Sequence, residues 1–143
     1  MFKEKVLLID DEENFTTALS ERMEARGVKA VTASNGSQAL ELVENENFDA
    51  IILDMIMPGM DGIETLKRLL EKNPDLQIIL LTGHATVQKG IEALKLGAAD
   101  FIEKPAGVQQ LIQKVKDAKA KRIAITNKRN EEMLTDILRT KGW

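Results

Sequence analysis

The chain has 143 residues, 43% of them hydrophobic, enough for one core without covalent staples. Zero cysteines exclude thiolate zinc centres, iron–sulfur clusters, cysteine nucleophiles and a disulfide framework, and a single histidine excludes a multi-histidine metal site. A formal charge of −3 excludes a polybasic nucleic-acid binder as the whole-chain reading, and no apolar run approaches the ~20 residues of a membrane span, so the expectation is a soluble, cytoplasmic protein.

Val6 to Ile9 is apolar at every position and predicts a strand buried on both faces. Glu13 to Arg26 follows with Phe15, Leu19 and Met23 at four-residue steps and closes at Gly27, the pattern of a helix with its C-terminal cap. Ala30 to Ala33 is a poorer run and predicts a flanking strand; Ser37 to Glu44 then sets Ala39, Leu40 and Val43 on one helical face. Ala50 to Leu53 predicts a third, central strand. The helix after it, Gly62 to Glu71, carries Ile63, Leu66, Leu69 and Leu70 and ends in the turn Asn73-Pro74-Asp75. Ile78 to Leu81 predicts the fourth strand, and Thr86 to Leu96 a helix presenting Val87, Ile91, Ala93 and Leu94 before Gly97. Phe101 to Ile102 is short and suits the other sheet edge, and from Val108 a fifth helix shows Leu111, Ile112 and Val115. This alternation is (βα)5, an α/β fold with a parallel sheet covered on both faces.

The charge changes sign near residue 114: residues 1–113 carry a net −8 and residues 114–143 a net +5. We therefore divide the chain into a domain over 1–121 and a basic, amphipathic helical extension over 122–143. Lys114 to Arg122 favours continuing the fifth helix, whereas Asn130 is placed to cap a second one carrying Met133, Leu134, Ile137 and Leu138, with Gly142 past its end. Trp143 beside these residues offers a contact to the domain, to a second copy or to a partner. The tail itself reads first as a solvated helix, with partner binding the alternative. Its ending, Lys141-Gly142-Trp143, reads as a chain end rather than a severed linker.

In a doubly wound sheet the functional crevice lies at the carboxyl ends of the strands. There the sequence places Asp10, Asp11 and Glu12 after the first strand, Asp54 after the third, Thr82 and Gly83 after the fourth, and Lys104 before Pro105 after the fifth. Clustered carboxylates with a hydroxyl and one ammonium make a hard, oxygen-rich site suited to Mg2+ and a phosphoryl group. Each carboxylate is costly beside the others unless a cation neutralises the cluster. With Asp11, Asp54 and a backbone carbonyl as metal ligands, Asp54 becomes a nucleophile able to take a phosphoryl group as an acyl phosphate. Lys104 and the Thr82 hydroxyl then hold the new oxygens.

Four strings in register with that pattern, VLLIDDE (Val6 to Glu12), ILDMIMPGMDG (Ile52 to Gly62), LLTGHA (Leu80 to Ala85) and KLGAADFIEKP (Lys95 to Pro105), resemble the receiver domain of two-component response regulators, the CheY-like family. The resemblance implies the flavodoxin-like strand order 2-1-3-4-5. It also implies that Asp54 is the phospho-acceptor, that Asp10 and Asp11 are the acidic pair of the Mg2+ site, and that the Ile56 backbone carbonyl is a further ligand. Lys104, Gly83 and Ile56 fall in the phosphate pocket, and Thr82 and Phe101 match the switch hydroxyl and aromatic that remodel the surface of the fourth helix, fifth strand and fifth helix. The bond between Lys104 and Pro105 is often cis in such domains. Phe101 stands where tyrosine is frequent, so its ring lacks a hydroxyl; Ile56 and His84 occupy positions that tune acyl-phosphate hydrolysis; and Gly107 loosens the start of the fifth helix.

The implied function is a single-domain response regulator that takes phosphate from a histidine kinase or histidine phosphotransfer protein and passes the signal to a downstream protein, as a monomer or a phosphorylation-dependent dimer. No direct nucleic-acid or membrane contact and no external-substrate enzyme activity are expected. An aspartate-nucleophile phosphohydrolase fits poorly, because its usual second aspartate would stand at Ile56. The remaining rivals are a phosphorylation-independent interaction module and the receiver portion of a longer DNA-binding regulator.

Overall fold

Runs that are apolar at every position form the middle of the sheet, and poorer runs form its edges. A computed structural model describes residues 1–55, 62–83 and 87–140. It contains β1 (Glu4–Ile9), α1 (Glu13–Glu24), β2 (Val28–Ala33), α2 (Gly36–Asn45), β3 (Ala50–Asp54), α3 (Gly62–Lys72), β4 (Ile78–Thr82), α4 (Val87–Leu96), β5 (Asp100–Glu103) and α5 (Val108–Thr140). The five strands are parallel in the order β2-β1-β3-β4-β5, as the resemblance implies. The two weaker strands, β2 and β5, are the edges.

Side-chain alternation along the strands splits the core into two layers. Val6, Leu8, Ile52, Ile79 and Leu81 face α1 and α5, meeting Leu19, Met23, Leu111 and Val115. Leu7, Ile9, Ile51, Leu53 and Leu80 face the other way onto Ala39, Leu66, Leu69 and Ala93. Most of these side chains are fully buried, each contributing about 1.5–3 kcal/mol relative to exposure. The register pairs Ile9 with Leu53, Asp54 with Leu81, and Thr82 with Glu103, so the carboxyl ends of four strands finish level with one another.

Two expectations need correction. Asn130 does not cap a second helix: α5 runs unbroken for 33 residues, because residues 114–140 contain neither glycine nor proline and are rich in lysine, arginine and alanine. Arg122 and Arg129, seven residues apart on one face, also clip this helix to Asp49 and Asp75. In α4, Ile91 and Leu94 are exposed, and the buried positions are Gly90 and Ala93. Small residues bring α4 close to the sheet there, and the larger apolar side chains are left facing solvent. The side chain of Val87, placed on the same face from sequence, lies outside the described residues. No described helix is long and apolar enough to cross a membrane.

Candidate functional site

The level strand ends deliver the sequence-selected side chains to one edge of the sheet. Asp10 follows β1 and is held there by its own backbone N–H, which donates to the Ala33 carbonyl at 3.1 Å. Its Oδ1 accepts the Glu12 N–H at 2.9 Å, an Asx-type contact that turns the chain into α1 and leaves Asp11 projecting into solvent. Asp54 is the last residue of β3 and is 9% exposed. Asp10, Asp11 and Asp54 each offer a carboxylate oxygen within 4.8 Å of the other two.

Lys104 enters from the far side of the sheet. Its backbone N–H donates to the Thr82 carbonyl at 2.7 Å, continuing the β4–β5 pairing, and its peptide bond to Pro105 is cis. The side chain passes over the Phe15 ring, with Nζ 5.4 Å from the centroid, and donates to Asp54 Oδ1 at 3.3 Å. One ammonium thus faces three carboxylates. Burial pushes the Asp10 carboxyl up from 3.8 to about 6, and the Asp54 and Asp11 charges add to the rise. The Glu12 N–H and the Lys104 charge pull it back.

Two polar atoms here have no hydrogen-bond partner among the described residues: Asp10 Oδ2 and the hydroxyl of Thr82, a side chain with no exposed surface. Buried polar atoms without partners are costly unless a ligand completes them. The donor set is hard oxygen, and a small divalent cation at the three carboxylates would complete Asp10; the residues present fit Mg2+. Beside Thr82, a β-carbon on Gly83 would meet nothing within 4 Å among the described residues. Next to the acidic cluster, an apolar cleft of about 390 Å³ lies between α1 and the start of α5, walled by Phe15, Leu19, Leu81, Pro105 and Val108, with Lys104 on its rim.

Phe101 is half-buried on β5 and packs against the α4 side of the core. The structure therefore brings together Asp10, Asp11, Asp54, Thr82, Gly83 and Lys104, with Phe101 one step away against α4. Ile56, Met57, Met60, His84, Thr86, Lys141, Gly142 and Trp143 lie outside the described residues.

Two glycines matter that the sequence reading passed over. A β-carbon at Gly62 would stand 2.6 Å from Met55 Cα and 2.7 Å from its carbonyl oxygen, and the Gly62 N–H donates to that oxygen at 3.0 Å. Only glycine lets the start of α3 close so tightly on the residue after Asp54. Gly90 stands inside α4 against Phe101 and Thr82. A glycine inside a helix costs about 0.5–1 kcal/mol against alanine, and that cost was the available hint of a packing reason.

The family model of the response regulator receiver domain matches residues 6–116. The chain belongs to that family. The receiver is 35% identical over 116 residues to sporulation initiation phosphotransferase F of Bacillus subtilis, covering 81% of this chain and 94% of that protein. It is 38% identical over 106 residues to the transcriptional regulatory protein ZraR of Klebsiella oxytoca, covering 74% of this chain but 24% of that protein. Among solved structures, a response regulator receiver domain protein from Clostridium thermocellum superposes with a TM-score of 0.82 at 31% identity, over 85% of this chain and 98% of that one. The receiver thus spans about a quarter of the length of several curated relatives it matches. Receiver domains are signalling modules that accept phosphoryl groups from histidine kinases or phosphotransfer proteins, and they generally bind Mg2+ at an acidic pocket.

Proposed function

We propose that this receiver is a phosphorylation-dependent switch in which Asp54 accepts the phosphoryl group. The observation that carries the reading is the meeting of Asp10, Asp11 and Asp54 within 4.8 Å, with Lys104 Nζ 3.3 Å from Asp54. Mg2+ held by Asp10, Asp11, Asp54 and the Ile56 carbonyl would offset the charge of the incoming phosphoryl oxygens. An Asp54 carboxylate oxygen attacks the phosphorus of a phosphohistidine donor; the P–O bond forms as the P–N bond breaks, and the freed imidazole nitrogen keeps the electron pair and takes up a proton. Lys104 exchanges its contact with Asp54 for the new anionic oxygens, and the Thr82 hydroxyl, without a hydrogen-bond partner among the described residues before transfer, donates to one of them. Gly83 leaves room for the group.

Transfer also changes the surface. As Thr82 turns to the phosphoryl oxygen, the space beside its methyl group changes, and Phe101 and α4 repack around it. The readout face is α4, β5 and α5, where Ile91 and Leu94 are already exposed for a downstream protein. A donor protein reaching Asp54 would cover the apolar cleft beside Lys104. We place the functional boundary between 121 and 122, beyond Ala118, the last buried residue of α5. A second reading, the receiver portion of a longer regulator, is favoured by the relatives of which this chain covers 24–27%. The full open reading frame encoding the chain decides between the two.

Intact-mass measurement after incubation with acetyl phosphate and Mg2+ tests the proposal. One phosphoryl adduct is expected, lost with chelator and lost in Asp54→Asn. An adduct retained in Asp54→Asn would refute Asp54 as acceptor, and no adduct in either protein would favour a phosphorylation-independent interaction module.

A further inference from the structure

We propose that the far half of α5 is the self-association surface of this protein, pairing antiparallel with the same segment of a second copy. The helix is about 50 Å long. Buried contacts end at Ala118, and beyond Arg129 no hydrogen bond or ion pair joins it to the domain among the described residues. A helical segment of this length is marginal in water without tertiary packing. Along its free side run Ala120, Ile123, Asn127, Asn130, Leu134 and Ile137, alternating three and four residues apart, the spacing of a two-stranded seam. Ile123 is 45% exposed, Leu134 57% and Ile137 51%, large apolar side chains on one side of the helix with nothing of their own domain over them among the described residues.

The charge pattern selects the occupant and its direction. Residues 119–129 carry five basic side chains and no acid; Lys119, Arg122 and Arg129 are engaged with Glu4, Asp49 and Asp75 of their own domain, which leaves Lys121 and Lys128 for a partner, whereas residues 130–138 carry Glu131, Glu132 and Asp136 and no base. A parallel pair would set basic turns beside basic turns and acidic beside acidic. An antiparallel pair lays the acidic turns of one copy along the Lys121 and Lys128 turns of the other, with Glu131 of one copy and Lys128 of the other on the same side of the seam. The same register sets Ile123 opposite Leu134 and Ala120 opposite Ile137, and it joins Asn127 to Asn130 in the two central layers. A paired amide inside an apolar seam is the device that fixes register and strand number.

Sedimentation equilibrium of the full chain tests this, and the lack of cysteine makes cross-linking unambiguous. The wild type is expected at twice its 15.9 kDa chain mass, and Ile123→Asp with Ile137→Asp at the single-chain mass with its circular dichroism retained. Oxidising a mixture of Ile123→Cys and Leu134→Cys proteins should give a mixed disulfide dimer, whereas Ile123→Cys alone should not cross-link. A single-chain wild type at hundreds of micromolar would overturn the proposal, as would a dimer indifferent to the aspartate pair. Efficient self-cross-linking of Ile123→Cys would overturn the antiparallel arrangement. Should the aspartate variants fail to fold, the two cysteine proteins, whose substitutions are mild and exposed, still decide the question.

Discussion

Gly90 on α4 lies against Phe101 on β5: a β-carbon built at position 90 stands 3.1 Å from Phe101 Cδ2 and 3.3 Å from Thr82 Cγ2. The two residues proposed to move together on phosphorylation therefore share one contact, the bare backbone of α4. Thr82 is fully buried, while the Phe101 ring is half-buried and has solvent to move into. That asymmetry makes the ring the part that yields.

Gly90→Ala tests this contact. Alanine gains about 0.5–1 kcal/mol of helix propensity and loses part of it to crowding, so the melting temperature should move by only a few degrees. The ring should nevertheless swing outward, shifting the Phe101 aromatic and Thr82 methyl resonances in the unphosphorylated protein. Gly90→Val adds bulk that the neighbours cannot absorb and should cost about 1–3 kcal/mol. Unchanged resonances in Gly90→Ala would show that α4 moves instead of the ring.

The acidic cluster predicts a pH dependence of opposite sign to that of an ordinary ion-paired carboxylate. Asp10 holds its proton up to about pH 6 in the folded protein against 3.8 in the unfolded chain, so between those values the folded state binds more protons. Its contribution to stability is full below pH 3.8 and is lost as pH rises through 6. Asp10→Asn removes the penalty: in chelator at pH 7 the variant should be more stable to urea by about 1–3 kcal/mol, with the difference vanishing near pH 4. Its Mg2+ affinity should fall at the same time. A variant less stable than wild type at pH 7 would contradict the burial of an uncompensated charge.

The fold was legible because each central strand is apolar at every position, a pattern that only a sheet covered on both faces requires. The acidic cluster was legible because its members follow those strands directly, and parallel strands that start level finish level. Other features lay in contacts between segments distant in the chain. The closeness of Gly62 to Met55 and of Gly90 to Phe101 depends on how tightly a helix settles on the sheet, which no local pattern encodes. The continuity of α5 past Asn130 was obscured because asparagine is a good cap but also tolerable inside a helix. The absence of glycine and proline from there to Thr140 decides in favour of the second.

Lys104→Ala separates holding from signalling. The ion pair with Asp54 is partly exposed, with the lysine side chain about a third accessible, so its loss should cost under about 1 kcal/mol. The protein should still take up a Mg2+-dependent phosphoryl group from acetyl phosphate. The shifts at Thr82 and Phe101 that accompany phosphorylation in wild type should be reduced or absent. Wild-type shifts in the phosphorylated variant would remove Lys104 from the relay.

Thr82→Val isolates the hydroxyl itself. In the unphosphorylated protein that hydroxyl is buried and has no hydrogen-bond partner among the described residues, so it pays a desolvation cost with no return. Valine keeps the branched shape against Gly90 and removes the polar atom, and the variant should unfold at the same or higher denaturant concentration than wild type, by up to about 1–2 kcal/mol. Phosphorylation of Asp54 should persist, because the acceptor, the acidic pair and Lys104 are untouched. The phosphorylated state should lose the bond that draws position 82 toward the active site, leaving the Phe101 resonances where they stand before transfer. Destabilisation of the unphosphorylated protein would mean that the hydroxyl is already satisfied there, and the relay would have to begin elsewhere.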